Sequence, residues 1–169
     1  MLRLTATQAR QGASWAAARL LQMGVTPGDR IAIAPHNEKD IDQAQRQQSS
    51  IIMSMWGALC IGVIPVMVNP DLSERERDYI LLDSLPSIVF DTTESLVALC
   101  SHFEESHPLP SYPLGRPMHY TSGTTGKPKG VWSGVLTPKA AAGLWATEIA
   151  MWDCSSSDTS LVHGPLTHS

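Results

Sequence analysis

Between Tyr120 and Val131 the chain reads YTSGTTGKPKGV, which gathers three glycines, four aliphatic hydroxyls and two lysines into twelve residues. Each residue type has a use in holding an anion. Gly123, Gly126 and Gly130 can take positive φ and carry no Cβ, so the backbone can turn tightly and bring N–H groups against phosphate oxygens. Thr121, Ser122, Thr124 and Thr125 add hydroxyl donors, while Lys127 and Lys129 add compact positive charge. Pro128 stiffens the step between the lysines. The spacing excludes a Walker A loop, which needs four residues between its glycines and a Ser or Thr directly after its lysine. Here Gly123 and Gly126 stand closer together and Pro128 follows Lys127. The string reads as a phosphate grip of another kind.

A loop of this sort needs a rigid frame, and the flanking sequence supplies alternating strands and helices. Gly24 to Arg30, GVTPGDR, is a turn that feeds the apolar strand Ile31 to Ala34. Ile51 to Ile64 is long and apolar enough for a helix, Pro65 stops it, and Val66 to Val68 reads as the next strand. Ser73 and Glu76 form a capping box opening a helix to about Asp83, and Ser87 to Asp91 gives a third strand. Thr137 and Pro138, an N-cap and N1 pair, open a helix that reaches about Asp153. Strands alternating with helices predict the α/β class, with a mainly parallel sheet flanked by helices. The polar stretch Asn37 to Ser50, with Gln43, Gln45, Gln47 and Gln48, reads either as an inserted turn or as an extended helix start. From Asp91 to Tyr120, with Pro108, Pro110, Pro113 and Pro117, an irregular connector is expected.

The loop, together with the segments GVIPVMVNP, GVWSGVL and LVHGPLTHS, resembles the adenylate-forming (AMP-binding) superfamily. Within it, the resemblance is to the acyl-CoA synthetase and fatty-acid-CoA ligase branch more than to the peptide synthetases. The resemblance implies that residues 1–169 are part of that family's large N-terminal domain, with the phosphate loop at 120–131 and the small C-terminal domain absent. It also implies a ligase that uses ATP and Mg2+ to join AMP to a carboxylic acid, a fatty acid by the branch it resembles, and then passes the acyl group to coenzyme A. Thr121, Ser122, Gly123, Thr124, Thr125, Gly126, Lys127, Lys129 and Gly130 would hold the phosphates, and Lys127, Thr124 and His168 would act in the chemistry. His168 enters because PLTHS is similar to a family segment whose histidine lies beside the carboxylate. The adenine-binding segment, the acidic residue that helps hold magnesium, the ribose-binding aspartate and the C-terminal lysine have no counterpart here. The alternative reading is a non-catalytic piece that binds nucleotide or a partner. A phosphotransferase is disfavoured by the glycine spacing.

Composition narrows the remaining classes. A hydrophobic fraction of 43% with 17% charged residues belongs to a globular chain of one domain or part of one. The net charge of −4 gives no basic face for nucleic acid. The N-terminus MLRLTATQAR lacks an apolar signal core, so the cytosol is the expected compartment. Cys60, Cys100 and Cys154 are odd in number, far apart and without a CxxC pair, so they read as reduced and structural. Ile51 to Val68 is apolar, but Gly57, Gly62 and Pro65 break it into a buried helix and strand. A membrane-surface association stays as the alternative for a lipid-handling enzyme. None of the six histidines sits in an HExxH pattern, and no residue is assigned as a protein ligand to metal. Trp145, Ile149 and Trp152 form one helical stripe, read as core packing with an acyl-chain wall as the sharper alternative. Glu74 to Asp78 reads as a solvated helix face. Oligomeric state is left open.

Overall fold

Three short strands form the parallel sheet that the alternation implies: β1 (Arg30–Ile33), β2 (Ile64–Met67) and β3 (Ile88–Phe90), in the order β2-β1-β3. The computed structural model describes residues 3–121, 128–153, 155 and 157–159. Register is set by Arg30 opposite Ile64 and Ile31 opposite Ile88, with the pairs advancing in step from there. Ile31, Ala32, Ile33 and every residue of β2 are buried, as strands covered on both faces must be.

The helices divide between the two faces. α1 (Ala6–Gln22), α2 (Ile41–Cys60) and α4 (Thr93–Cys100) share a core with Ile31, Ile33, Met67 and Phe90. α3 (Glu74–Ser84) lies on the other side, where Ile80 and Met118 meet Ile64, Val66 and Val68. α1 and α2 approach closely because both are small at the contact. An added Cβ on Gly57 would strike the Ala13 carbonyl oxygen and stand 3.1 Å from the Ala16 Cβ. The turn from α2 into β2 uses Gly62 at φ 76°, a conformation that costs glycine little.

Several boundaries differ from the sequence reading. Of the two readings left open for the polar stretch at 37–50, the extended helix start holds: α2 begins at Ile41, capped by Asp40, whose carboxylate accepts from the N–H groups of Asp42 and Gln43, both at 3.0 Å. The helix therefore starts ten residues before the expected Ile51 and ends at Cys60, and β2 begins at Ile64 instead of Val66. The connector after Asp91 is not irregular throughout. Thr92 caps α4, whose Leu96, Leu99 and Cys100 are buried. Beyond it the chain is strapped along α1: Arg19 donates to the His102 carbonyl at 2.9 Å, Ser14 to that of His107 at 2.7 Å, and Arg10 to that of Leu109 at 2.6 Å. Where the reading and the structure agree, the local chemistry is visible. Ser73 and Glu76 exchange hydrogen bonds in a capping box, and Thr137 caps the helix that opens with Pro138.

One buried polar cluster links three segments. Gln47 donates to the His36 carbonyl and the Thr93 hydroxyl, each at 2.8 Å, and Thr93 in turn donates to Glu38. This ties the loop after β1 to α2 and α4. Cys60 and Cys100 are free and buried, and burial pushes each thiol up to about 11. Cys100 lies 3.2 Å from the Ser54 hydroxyl. Cys154 is outside the described residues. Among the described residues, no helix is long and apolar enough to cross a membrane.

Candidate functional site

The glycine-rich string is carried by a hairpin. β4 (His119–Thr121) pairs antiparallel with β5 (Lys129–Val131), with His119 opposite Val131, Tyr120 opposite Gly130 and Thr121 opposite Lys129. An isolated bridge between Gly115 and Val135 keeps the same register, so the two strands continue as one ribbon toward its base. Thr121 and Lys129 are the last pair, both exposed, and they bracket the loop.

The ribbon is joined to the sheet through Met118. Its N–H donates to the Pro65 carbonyl at 2.7 Å and its carbonyl accepts from the Met67 N–H at 3.1 Å, making a parallel bridge to Val66. Pro65 has no N–H to offer a ladder, and only its carbonyl is used toward Met118. Because the bridge is parallel, residues 119–121 run on in the direction of the carboxyl end of β2. That is the edge at which open α/β sheets bind ligands. The loop after β1 meets the loop after β2 at the same edge, where Asn37 donates to the Asp71 carboxylate at 2.6 Å.

Beyond Met118 the ribbon is held by Tyr120. Its hydroxyl donates to the Asp83 carboxylate on α3 at 2.6 Å. Burial, and then the neighbouring Asp83 carboxylate, hold the Tyr120 phenol well above its ordinary value. The ring lies over Gly130, where an added Cβ would stand 3.0 Å from the tyrosine Cζ and would strike the Met118 methyl. At the ribbon's other strand, the Arg30 guanidinium lies 5.4 Å from the Trp132 ring centre and donates to the Ser84 carbonyl at 3.1 Å.

After the ribbon comes α5 (Pro138–Trp152), attached by an ion pair between Arg116 and Glu148 and by buried Ala141. The stripe expected to pack in the core does not do so: Trp145, Ile149 and Trp152 are 38%, 40% and 73% exposed. An apolar helical period marks a surface that can be buried. It does not say that this length of chain supplies the cover.

Of the residues assigned from sequence, Thr121, Lys129 and Gly130 are brought together at the mouth and base of the loop. Ser122, Gly123, Thr124, Thr125, Gly126, Lys127 and His168 lie outside the described residues. Sequence reasoning gave no role to Tyr120, Asp83 or Met118. A signal was present, because short runs with β-formers on both sides of a glycine-rich turn are a hairpin pattern. Among the described residues, no group of three His, Cys, Asp or Glu side chains could hold a metal ion.

The AMP-binding enzyme family matches residues 2–112, which is the sheet with α1 to α4 and the strap along α1. The chain belongs to the AMP-binding enzyme family. The match stops short of the ribbon and its loop. A protein described as a probable nonribosomal peptide synthetase, CymA of Salinispora arenicola, is 31% identical over 112 residues, covering 66% of this chain and 1% of CymA. The 4-hydroxybenzoate–CoA/benzoate–CoA ligase of Rhodopseudomonas palustris is 27% identical over 154 residues, covering 73% of this chain and 27% of the ligase. Among solved structures, the O-succinylbenzoate coenzyme A synthetase of Bacillus subtilis in complex with AMP superposes with a TM-score of 0.67 at 22% identity. That match covers 98% of this chain and 44% of the synthetase. The chain thus spans well under two thirds of these proteins. The fold is that of the N-terminal domain of adenylate-forming enzymes, and the family is one of AMP-forming ligases.

Proposed function

We propose that the protein containing this chain is an AMP-forming acid–thiol ligase and that residues 1–169 form part of its large N-terminal domain. A carboxylate oxygen attacks the α-phosphorus of ATP, pyrophosphate leaves, and the thiol of coenzyme A then attacks the acyl-adenylate carbonyl and expels AMP. The supporting observation is the ribbon: it sets Thr121 opposite Lys129 at the carboxyl end of β2, in a chain of the AMP-binding family. In this reading the backbone and hydroxyls of Thr121 to Gly126, with Lys127, Lys129 and Gly130, hold the β- and γ-phosphates. Lys127 and Thr124 meet the charge that grows as pyrophosphate departs. His168 orients the carboxylate through a neutral imidazole. The described residues offer no donor set for Mg2+, which would arrive as the counter-ion of the ATP phosphates.

For the acid we propose a fatty acid. An aryl acid is the second reading, favoured by the relative that is a benzoate–CoA ligase. A non-catalytic module that binds nucleotide or a partner is the alternative for the chain taken alone, since it spans 27% of that ligase. The testing experiment is carboxylate-dependent exchange of labelled pyrophosphate into ATP, over fatty and aryl acids. Exchange with one class names the substrate. A folded protein silent with every acid would overturn the ligase reading.

A further inference from the structure

The ribbon touches the sheet through backbone at one residue, Met118, and then leaves it for the loop. Past that point, the side chain that ties the ribbon to α3 is Tyr120, two residues on and directly before Thr121. Its hydroxyl reaches an aspartate thirty-seven residues back in sequence. The strand opposite makes room for it: Gly130 has no Cβ where the tyrosine ring crosses. A side chain at 130 would push against the ring or against Met118, the two residues that anchor the ribbon. We propose that Tyr120 is a positioning residue, which through Asp83 fixes the height and tilt at which the loop between Thr121 and Lys129 leaves the sheet.

The inference rests on the phosphate-loop reading of the proposed function for its consequence, but not for its geometry. A loop that holds an anion through several donors loses affinity when its two ends shift together, because every donor moves off line at once. Tyr120 itself need not touch the ligand. Its effect passes through Thr121, its neighbour, and through Lys129, which pairs with Thr121.

The experiment uses the 169-residue chain and its Y120F, D83A and Y120F/D83A variants, with ATP and Mg2+ titrated by calorimetry and amide hydrogen exchange followed in parallel. The expected result is a loss of ATP affinity of about fivefold in each single variant. The double variant should be no weaker than either single, since both remove one hydrogen bond. Unfolding midpoints should move little, because the bond is near the surface. Faster exchange should be confined to residues 119–121 and 129–131, with β1 and β2 unchanged. Equal ATP affinity in parent and variants would overturn the inference, and so would additive losses. If the parent binds no ATP, the phosphate-loop reading of this chain fails by itself. Exchange then decides: acceleration limited to the ribbon in Y120F supports the strut, and unchanged exchange overturns it.

Discussion

Gly57→Ala puts a single methyl into the closest approach of α1 and α2, and the structure gives its cost a sign. The new Cβ would strike the Ala13 carbonyl oxygen and stand 3.1 Å from the Ala16 Cβ and 3.2 Å from the Ala17 nitrogen. Two of these three obstacles are main chain, so no rotamer change relieves them and the helices must move apart. Overpacking of this kind costs about 1–3 kcal/mol, against which the helix propensity of alanine over glycine returns about 0.5–1 kcal/mol. The net loss is centred on about 1 kcal/mol with an upper end of about 2.5 kcal/mol, or roughly 3 °C in melting temperature at the centre for a chain of this size. Gly143→Ala in α5 is the matched control, because a Cβ there meets nothing within 4 Å. It should strengthen its own helix by about 0.5–1 kcal/mol, read as slower amide exchange within α5. Urea unfolding followed by circular dichroism measures the Gly57 effect. A neutral or stabilising Gly57→Ala would refute the claim that the α1–α2 contact is set by main-chain approach.

Other expectations follow from particular contacts. Gln47→Leu removes the amide that donates to the Thr93 hydroxyl and to the part-buried His36 carbonyl, while Thr93 keeps its bond to Glu38, and should cost about 1 kcal/mol in urea unfolding; an unchanged midpoint would mean that water replaces the amide. The Cys60 and Cys100 thiols are raised by burial from 9.0 to about 11, so their contribution is intact below pH 9 and lost as pH rises through about 11. Stability should therefore fall between those values, and a Cys60→Ala/Cys100→Ala variant should fall less steeply. Under the proposed function, Lys127→Ala or Thr124→Ala in the whole protein should slow adenylation by roughly 10- to 1000-fold while the chain stays folded, as removal of an oxyanion-type donor does. Unchanged pyrophosphate exchange would take either residue out of the site.

Legibility in the sequence followed how local each signal is. The Ser73–Glu76 box and the Thr137–Pro138 start are patterns of four and two residues whose hydrogen bonds close within one turn, and both stand in the structure as read. The start of α2 was ambiguous because most of its first ten residues are exposed or half-buried, and the two that are buried, Gln47 and Ser50, are polar. Their polarity, without an apolar stripe, resembles a turn. α4 was hidden for another reason: eight residues are too short for periodicity to outweigh the prolines that follow. The exposed Trp152 shows that an apolar stripe predicts burial without naming the cover. For the site, residue types in the loop pointed to phosphate, but the frame depends on a cross-chain bond from Tyr120 to Asp83 and a single-residue bridge at Met118. Neither has a local sequence pattern, because each is decided by how two distant segments meet.

In the proposed reaction the loop serves the cleavage of ATP between its α- and β-phosphorus. The most direct measurement is product analysis of ATP consumed by the whole protein with Mg2+, coenzyme A and its carboxylic acid. AMP and pyrophosphate in equal amounts, with an acyl-adenylate mass trapped when coenzyme A is withheld, is the predicted result. ADP with inorganic phosphate or an acyl phosphate would contradict it.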